Sequence, residues 1–311
     1  MTDIPLVSIV MNCLDAERYL REAIDSVYAQ TRSDWEIVFV DNGSRDSSPG
    51  IAQGYDGRLH YLRNEQTVPL GAARNQALRA ARGEFVCFLD CDDRWLADKL
   101  EHQVAFLRAH PRVEFLHGNF HYIDARGLRT ATGYRTEQAS GQAFGRLLRH
   151  FVLNLQTVMI RKSALDRLDE LFDPILSLAE DYDLFMRLLH DAELGYMHEP
   201  LAEYRVHAGQ STARFAERYG EEMEYCVNKL RRRFADLETR YQAELGYLDG
   251  KIAYWKARAA MARNDSGMAR ALLAPHRGRS WHFRALHALT YCGPGLWRGL
   301  HQLRYRVGSL A

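Results

Sequence analysis

Phe88-Leu89-Asp90-Cys91-Asp92-Asp93 sets three carboxylates within four residues at the end of an apolar run. Residues 84–90 are short and rich in Phe, Val and Leu, as a buried strand is. Carboxylates this close repel and raise one another's pKa unless a cation lies among them, so the stretch fits a divalent metal held by oxygen ligands. A second reading stands beside it, in which Asp93 caps a helix through Trp95 and Leu96 while the other two acids are solvated.

Upstream, residues 7–11 and 36–41 form two more short apolar runs. Between the runs, residues 16–29 carry Tyr19, Leu20, Ala23, Ile24 and Val27 at helical spacing, and residues 70–82 read as a helix that Gly83 stops. The alternation predicts an α/β fold, a doubly wound and mostly parallel sheet that binds its ligand beyond the carboxyl ends of the strands. Asp41 closes the second run and opens Asp41-Asn42-Gly43-Ser44-Arg45-Asp46, aiming a second acid at the same edge as Asp90. A carboxylate there accepts hydrogen bonds from a ribose or base, or stabilises the turn. No Gly-x-Gly-x-x-Gly follows the first strand and no Walker sequence occurs, which disfavours nicotinamide oxidoreductases and P-loop enzymes.

At 311 residues the chain has room for one large domain and an appendage, divided here as 1–212 and 213–311. Its 41 basic and 40 acidic residues nearly cancel, so no global field points to nucleic acid as a partner. Five scattered cysteines without a Cys-x-x-Cys pair favour a reducing compartment over a disulfide frame or zinc site. No basic segment precedes an apolar core at the N-terminus, and no apolar run approaches the ~20 residues of a membrane span. The expected location is the cytoplasm, with peripheral contact to the inner membrane as an option.

From residue 215 to 245 apolar residues recur every three or four positions, which predicts one long amphipathic helix. Residues 252–273, broken by Asn264-Asp265-Ser266-Gly267, predict a helical hairpin. After Trp281, aromatic and aliphatic residues interleave with Arg279, Arg284, Arg298, Arg304 and Arg306. That segment suits an anionic membrane surface, or else packs its apolar face on the preceding helices.

Taken in order, the motifs resemble the family 2 inverting glycosyltransferases of the GT-A fold. The apolar strand Val7-Ser8-Ile9-Val10-Met11 leads to Ala16-Glu17-Arg18-Tyr19-Leu20 and then to the Asp-Asp-Gly-Ser-like turn Asp41-Asn42-Gly43-Ser44. Leu70-Gly71-Ala72-Ala73-Arg74-Asn75 and the Asp-x-Asp stretch Leu89-Asp90-Cys91-Asp92-Asp93 follow. Glu180-Asp181 and Tyr204-Arg205-Val206-His207 close the series, which covers about residues 5 to 212.

The resemblance implies an enzyme that moves a sugar from a nucleotide-diphosphate donor to an acceptor hydroxyl in cell-surface polysaccharide or glycolipid synthesis. It implies that Asp181 is the general base, that Asp92 and His207 hold Mn2+ or Mg2+, and that Asp15, Asp41, Arg74, Asp90 and Glu180 form the nucleotide-sugar site. UDP is the first expectation for the donor, dTDP or GDP the alternatives, and the acceptor is a carbohydrate or a lipid-linked sugar. Two departures, Asn12-Cys13-Leu14-Asp15 for the family's Pro-Thr-Tyr-Asn and Asn42 for an Asp, bear on the base and spare the metal ligands. The physics agrees: a cation neutralises the leaving diphosphate, and one carboxylate base suffices for direct displacement with inversion. The rivals are a non-catalytic nucleotide-sugar scaffold of the same fold, and a phosphatase with Asp90 as nucleophile. The second leaves the other motifs unexplained.

Overall fold

The computed structural model describes residues 4–210 and 217–297. The chain forms two compact units, one of residues up to 147 with 152–207, the other of 148–151 with 208 onward.

The first unit is built on a nine-stranded sheet in the order β3-β2-β1-β4-β8-β6-β9-β5, with β7 on the side of β6. The strands are β1 (Val7–Cys13), β2 (Trp35–Asp41), β3 (Leu59–Arg63), β4 (Phe85–Phe88), β5 (Arg94–Trp95), β6 (Val113–Ile123), β7 (Arg129–Thr132), β8 (Met159–Arg161) and β9 (Glu193–Arg205). β3, β2, β1 and β4 are parallel, β8 runs against both β4 and β6, and β9 is parallel to β6. With β5 and β7 also reversed, six strands point one way and three the other. All seven residues of β2 are buried, the near-continuous apolar pattern of a strand covered on both faces. The parallel register pairs Cys13 with Asp41 and Val10 with Phe88, so the chain beyond β1, β2 and β4 emerges at one edge.

Two local expectations change. Gly83 is no helix stop: the helix Leu70–Ala80 ends before it, and Ala81 is already extended. A Cβ on Gly83 would lie 2.6 Å from the Ser8 amide nitrogen, so a glycine is needed for the chain to pass tightly along β1. Nor does Asp93 cap a helix. Arg94–Trp95 pairs as a strand with β9 and the helix starts at Lys99, while Asp93 is buried with its Oδ1 accepting from the Arg205 amide at 2.7 Å.

In the second unit the single long helix predicted from residue 215 is instead a hairpin. Tyr219–Arg233 ends where Phe234 turns extended, Leu237–Arg240 adds one turn, and Gln242–Ala262 runs back. The Tyr219 and Trp255 rings meet edge to face at 4.8 Å, Lys256 pairs with Glu224, and Arg231 pairs with Asp249. Apolar spacing continues through the bend, so periodicity does not register the reversal. The second predicted hairpin forms, with Asp265 accepting from the Met268 amide at 2.8 Å to cap Ser266–Leu273. Its first helix reaches back to Gln242. Beyond it the apolar residues divide: Phe283 and Trp297 are buried, whereas Trp281, Tyr291 and Leu296 are exposed. Residue 215 and everything from residue 298 lie outside the described residues, as do Arg298, Arg304 and Arg306. No helix among the described residues is long and apolar enough to cross a membrane.

Candidate active site

Beyond the carboxyl end of β4 the chain leaves the sheet, and Asp90 is fixed from two directions. Its Oδ1 accepts from Arg74 Nη2 at 3.0 Å, and its Oδ2 from Gln156 Nε2 at 2.7 Å. Gln156 also accepts from the Asp90 amide through Oε1 at 2.9 Å, so one side-chain amide grips both the backbone and the carboxylate. Arg74 is buried on the Leu70–Ala80 helix and gives its second nitrogen to Glu180 Oε1 at 2.5 Å. The helix is held against residues 172–173 by Asn75, whose amide donates to the Phe172 carbonyl and accepts from its N–H. Gly71 permits that approach, since a Cβ there would lie 2.9 Å from the Asp173 carbonyl oxygen.

Glu180 and Asp181 open the helix Glu180–Leu189, where acids complement the positive end of the helix dipole. Farther along, Arg187 is fully buried against Asp183 and anchors that helix. Among the described residues the second oxygen of Glu180, Oε2, is buried and unpaired. Asp181 keeps part of its surface open, yet its surroundings are dry enough to push its pKa up to about 7. Burial is the main cause and the charge of Glu180 the next, with Arg74 opposing both. Arg74 thus binds Asp90 and Glu180 into one network beside a carboxylate that titrates near neutrality.

A second cluster forms where β9 meets the acidic turn. His207 Nε2 lies 2.9 Å from Asp92 Oδ2. Arg205, fully buried, donates through Nε to the Asp92 carbonyl at 2.7 Å and through Nη2 to Glu22 at 2.8 Å. Its guanidinium sits 4.3 Å from the centre of the Tyr19 ring, which packs on His207. Burial, and then the charge of Asp90, hold the Asp92 carboxyl above the usual range. A carboxylate and an imidazole in contact, with a second acid raising the local negative charge, suit a hard divalent cation. Among the described residues no three His, Cys, Asp or Glu side chains gather around one point, so such an ion would complete its shell with ligand or water oxygens.

Asp41 opens the Gly43 turn, and Asp15, just beyond β1, is hydrogen-bonded to that turn. Asp41 is fully buried: Oδ1 accepts from the Ser44 amide at 2.8 Å, and Oδ2 from Tyr61 Oη at 2.5 Å and Arg63 Nη1 at 2.7 Å. Burial opposes its ionisation, but these bonds outweigh it and hold its carboxyl below the usual range. Asp15 adopts φ +50° and accepts from the Arg45 amide at 2.8 Å. Asn42 braces the Val68 backbone in both directions. No hydrogen bond links Asp15 or Asp41 to Arg74, Asp90 or Glu180.

Gln156, Arg205 and Asn12 have no site role legible in the sequence. Gln156 lies in Leu155-Gln156-Thr157, a stretch with no motif, and matters only because β8 brings it beside β4. Arg205 was visible inside Tyr-Arg-x-His but had no role attached. The Asn12 amide, at the carboxyl end of β1, has both polar atoms buried and unpaired among the described residues. Arg74 is neither a solvated charge nor a surface ion pair, because its double pairing is internal.

The sheet order, the acidic turn after β4 and the Glu-Asp pair on a facing helix define the GT-A class of nucleotide-sugar folds. Residues 8–168 match Glycosyl transferase family 2, and the chain belongs to that family. It is 31% identical to the UDP-Glc:alpha-D-GlcNAc-diphosphoundecaprenol beta-1,3-glucosyltransferase WfgD of Escherichia coli, over 60% of this chain and 70% of that protein. Two further curated relatives are matched over 66% of their own length. Among solved structures, S. aureus TarS 1-349 in complex with UDP-GlcNAc superposes with a TM-score of 0.61 at 20% identity, covering 97% of this chain and 92% of that one. The mannosyltransferase PcManGT from Pyrobaculum calidifontis, in complex with GDP-Man and Mn2+, gives 0.61 at 19% identity, covering 93% and 85%. At these identities the structural likeness concerns the fold.

Proposed function

We propose that this protein transfers a glycosyl group from a nucleotide-diphosphate sugar to an acceptor hydroxyl, with inversion and with Asp181 as general base. The observation that carries the reading is Asp181 itself, a partly open carboxylate with a pKa of about 7 beside the Arg74–Glu180 pair. Such a group is about half ionised at neutral pH and basic enough to take a proton from an alcohol as it attacks. A single base serves direct displacement, so attack comes from the face opposite the departing diphosphate.

Asp92 and His207 would hold the divalent ion, Mn2+ or Mg2+, and when bound it neutralises charge on the diphosphate. Arg74 orients Asp90 and Glu180, Asp90 being presented to the donor's ribose. Asp41, Asp15 and the turn between them form the nucleoside end of the site, and Asn12 offers an unused donor and acceptor beside it. UDP is the first choice of nucleotide, with GDP and dTDP behind it. TarS has been crystallised with UDP-GlcNAc and PcManGT with GDP-Man, so the fold accommodates either type. The acceptor is a carbohydrate or lipid-linked sugar in polysaccharide or glycolipid synthesis; the acceptor named for WfgD, alpha-D-GlcNAc-diphosphoundecaprenol, is of the lipid-linked kind. Residues 1–212 carry the chemistry, on the cytoplasmic side, and residues 213–311 associate with acceptor or membrane.

Thermal unfolding with UDP, GDP, dTDP and CMP, each with and without Mn2+, tests the donor half of this reading, since a ligand specific to the folded state raises Tm. A rise with one nucleoside diphosphate that requires Mn2+ is expected. Absence of any rise from a folded sample would sink it.

A further inference from the structure

From residue 266 to the last residue the chain contains seven arginines and no Asp, Glu or Lys. All 40 acidic residues but only 34 of the 41 basic ones lie before it, so the near-neutral total conceals a formal charge of +7 at one end against −6 on the rest. Elsewhere in the second unit several cations are matched, Arg231 by Asp249 and Glu238, Lys256 by Glu224, Arg240 by Asp236. Here they are not: Arg277, Arg279 and Arg284 are exposed, and none forms an ion pair among the described residues.

The same segment exposes large apolar side chains. Met268, Trp281, Tyr291 and Leu296 are 51%, 70%, 64% and 52% accessible, and they are four of the ten large hydrophobic residues exposed in the described chain. The helix Trp281–Leu289 buries Phe283 against Gly250, where a Cβ would lie 2.5 Å from the ring. Its outward stripe, Trp281, Arg284, Ala285 and Ala288, follows the i, i+3, i+4, i+7 pattern of one helix face. The Arg270 guanidinium lies 3.8 Å from the centre of the Tyr291 ring, joining cation and aromatic on the same surface.

We infer that this surface docks on an anionic phospholipid bilayer. Exposed Trp and Tyr sit favourably at the headgroup level, small outward residues let the helix approach closely, and unpaired arginines meet the negative surface potential. A polyanion without an apolar layer, such as nucleic acid, would account for the arginines but not for Trp281 and Leu296. The inference deepens the membrane contact proposed above for residues 213–311, and its readout does not depend on sugar transfer.

The test is flotation of the full-length protein with vesicles of phosphatidylcholine alone or containing about one third phosphatidylglycerol, without donor or acceptor. Binding to the anionic vesicles only, weakened by salt, is expected. Replacing Arg277 and Arg284 together by Gln should weaken it about thirty-fold, and Trp281→Ala about ten-fold. Both sites are exposed, so the variants should keep the wild-type Tm and donor-induced Tm shift, which separates a lost surface from a lost fold or a lost active site. No binding to anionic vesicles, equal binding to neutral ones, or vesicle binding that Trp281→Ala leaves unchanged would each overturn the inference. Tighter binding to a short DNA or RNA than to the vesicles would overturn it in favour of a nucleic-acid surface.

Discussion

Replacing Asp181 by Asn should remove activity and stabilise the protein, and the two effects share one cause. In the folded chain this carboxyl has a pKa of about 7 against an ordinary 3.8, because burial and Glu180 disfavour its charge. Between those pH values the native state holds a proton that the unfolded chain has lost, so stability falls as pH rises through the window and stays reduced above it. A gap of roughly three units corresponds to at most about 4 kcal/mol. Asp181 is partly open to water and shares its field with Glu180 and Arg74, so about 1–2 kcal/mol is the reasonable share. Asn is nearly the same size and carries no charge, so the variant should match wild type near pH 4 and exceed it by that amount at pH 8, as read from urea unfolding. Transfer should fall about 10²–10⁴-fold, the usual contribution of a general base. The wild-type kcat/KM should climb with pH to a plateau with a midpoint near 7, while residual activity of the variant lacks that limb. Full transfer by Asp181→Asn, or a variant less stable than wild type at pH 8, would refute the reasoning.

The same network gives further expectations. Gln156→Leu leaves the Asp90 amide and one carboxylate oxygen without their partner, so it should cost about 1–3 kcal/mol in chemical unfolding and lower kcat more than it raises KM. A fall confined to KM would place Gln156 outside the reaction. Arg74→Met strands Glu180 in a buried site and should destabilise by about 3–5 kcal/mol. Arg74 lowers the pKa of Asp181, so its removal should also shift the activity midpoint to higher pH, and an unmoved midpoint would contradict the network. His207→Ala and Asp92→Asn should each abolish the Mn2+-dependent part of the nucleotide-induced Tm shift. A metal-dependent shift that survives in both variants would place the ion elsewhere.

The order of short apolar runs, amphipathic helices and acidic strand ends was legible along the chain because each is set by neighbours a few residues apart. An apolar run ending in Asp90-Cys91-Asp92-Asp93 tells where a buried strand meets the crevice, whatever the rest of the fold. Glu180-Asp181 and Tyr204-Arg205-Val206-His207 could be singled out in the same way, through their likeness to an ordered set of motifs. The hairpin at Phe234 could not, since apolar spacing is alike on both sides of a bend and only contacts between the two helices, such as Tyr219 on Trp255 and Arg231 with Asp249, fix the reversal.

Pairings across large separations were likewise beyond the sequence. Asp93 is as acidic in the sequence as its neighbours, but the return of β9 112 residues later turns it into an acceptor for the Arg205 backbone. Gln156 gains its role because antiparallel β8 lies against β4, bringing its amide to Asp90 across 66 residues. Arg74 reads as a charge on a helix face until tertiary contacts bury it between Asp90 and Glu180, which also sets the charge environment of Asp181. The sequence alone determined the order of strands and helices and which acidic and basic side chains stand at their ends. Only the tertiary structure decided which of them share a dielectric and a hydrogen bond, because those depend on distances that the covalent order does not constrain.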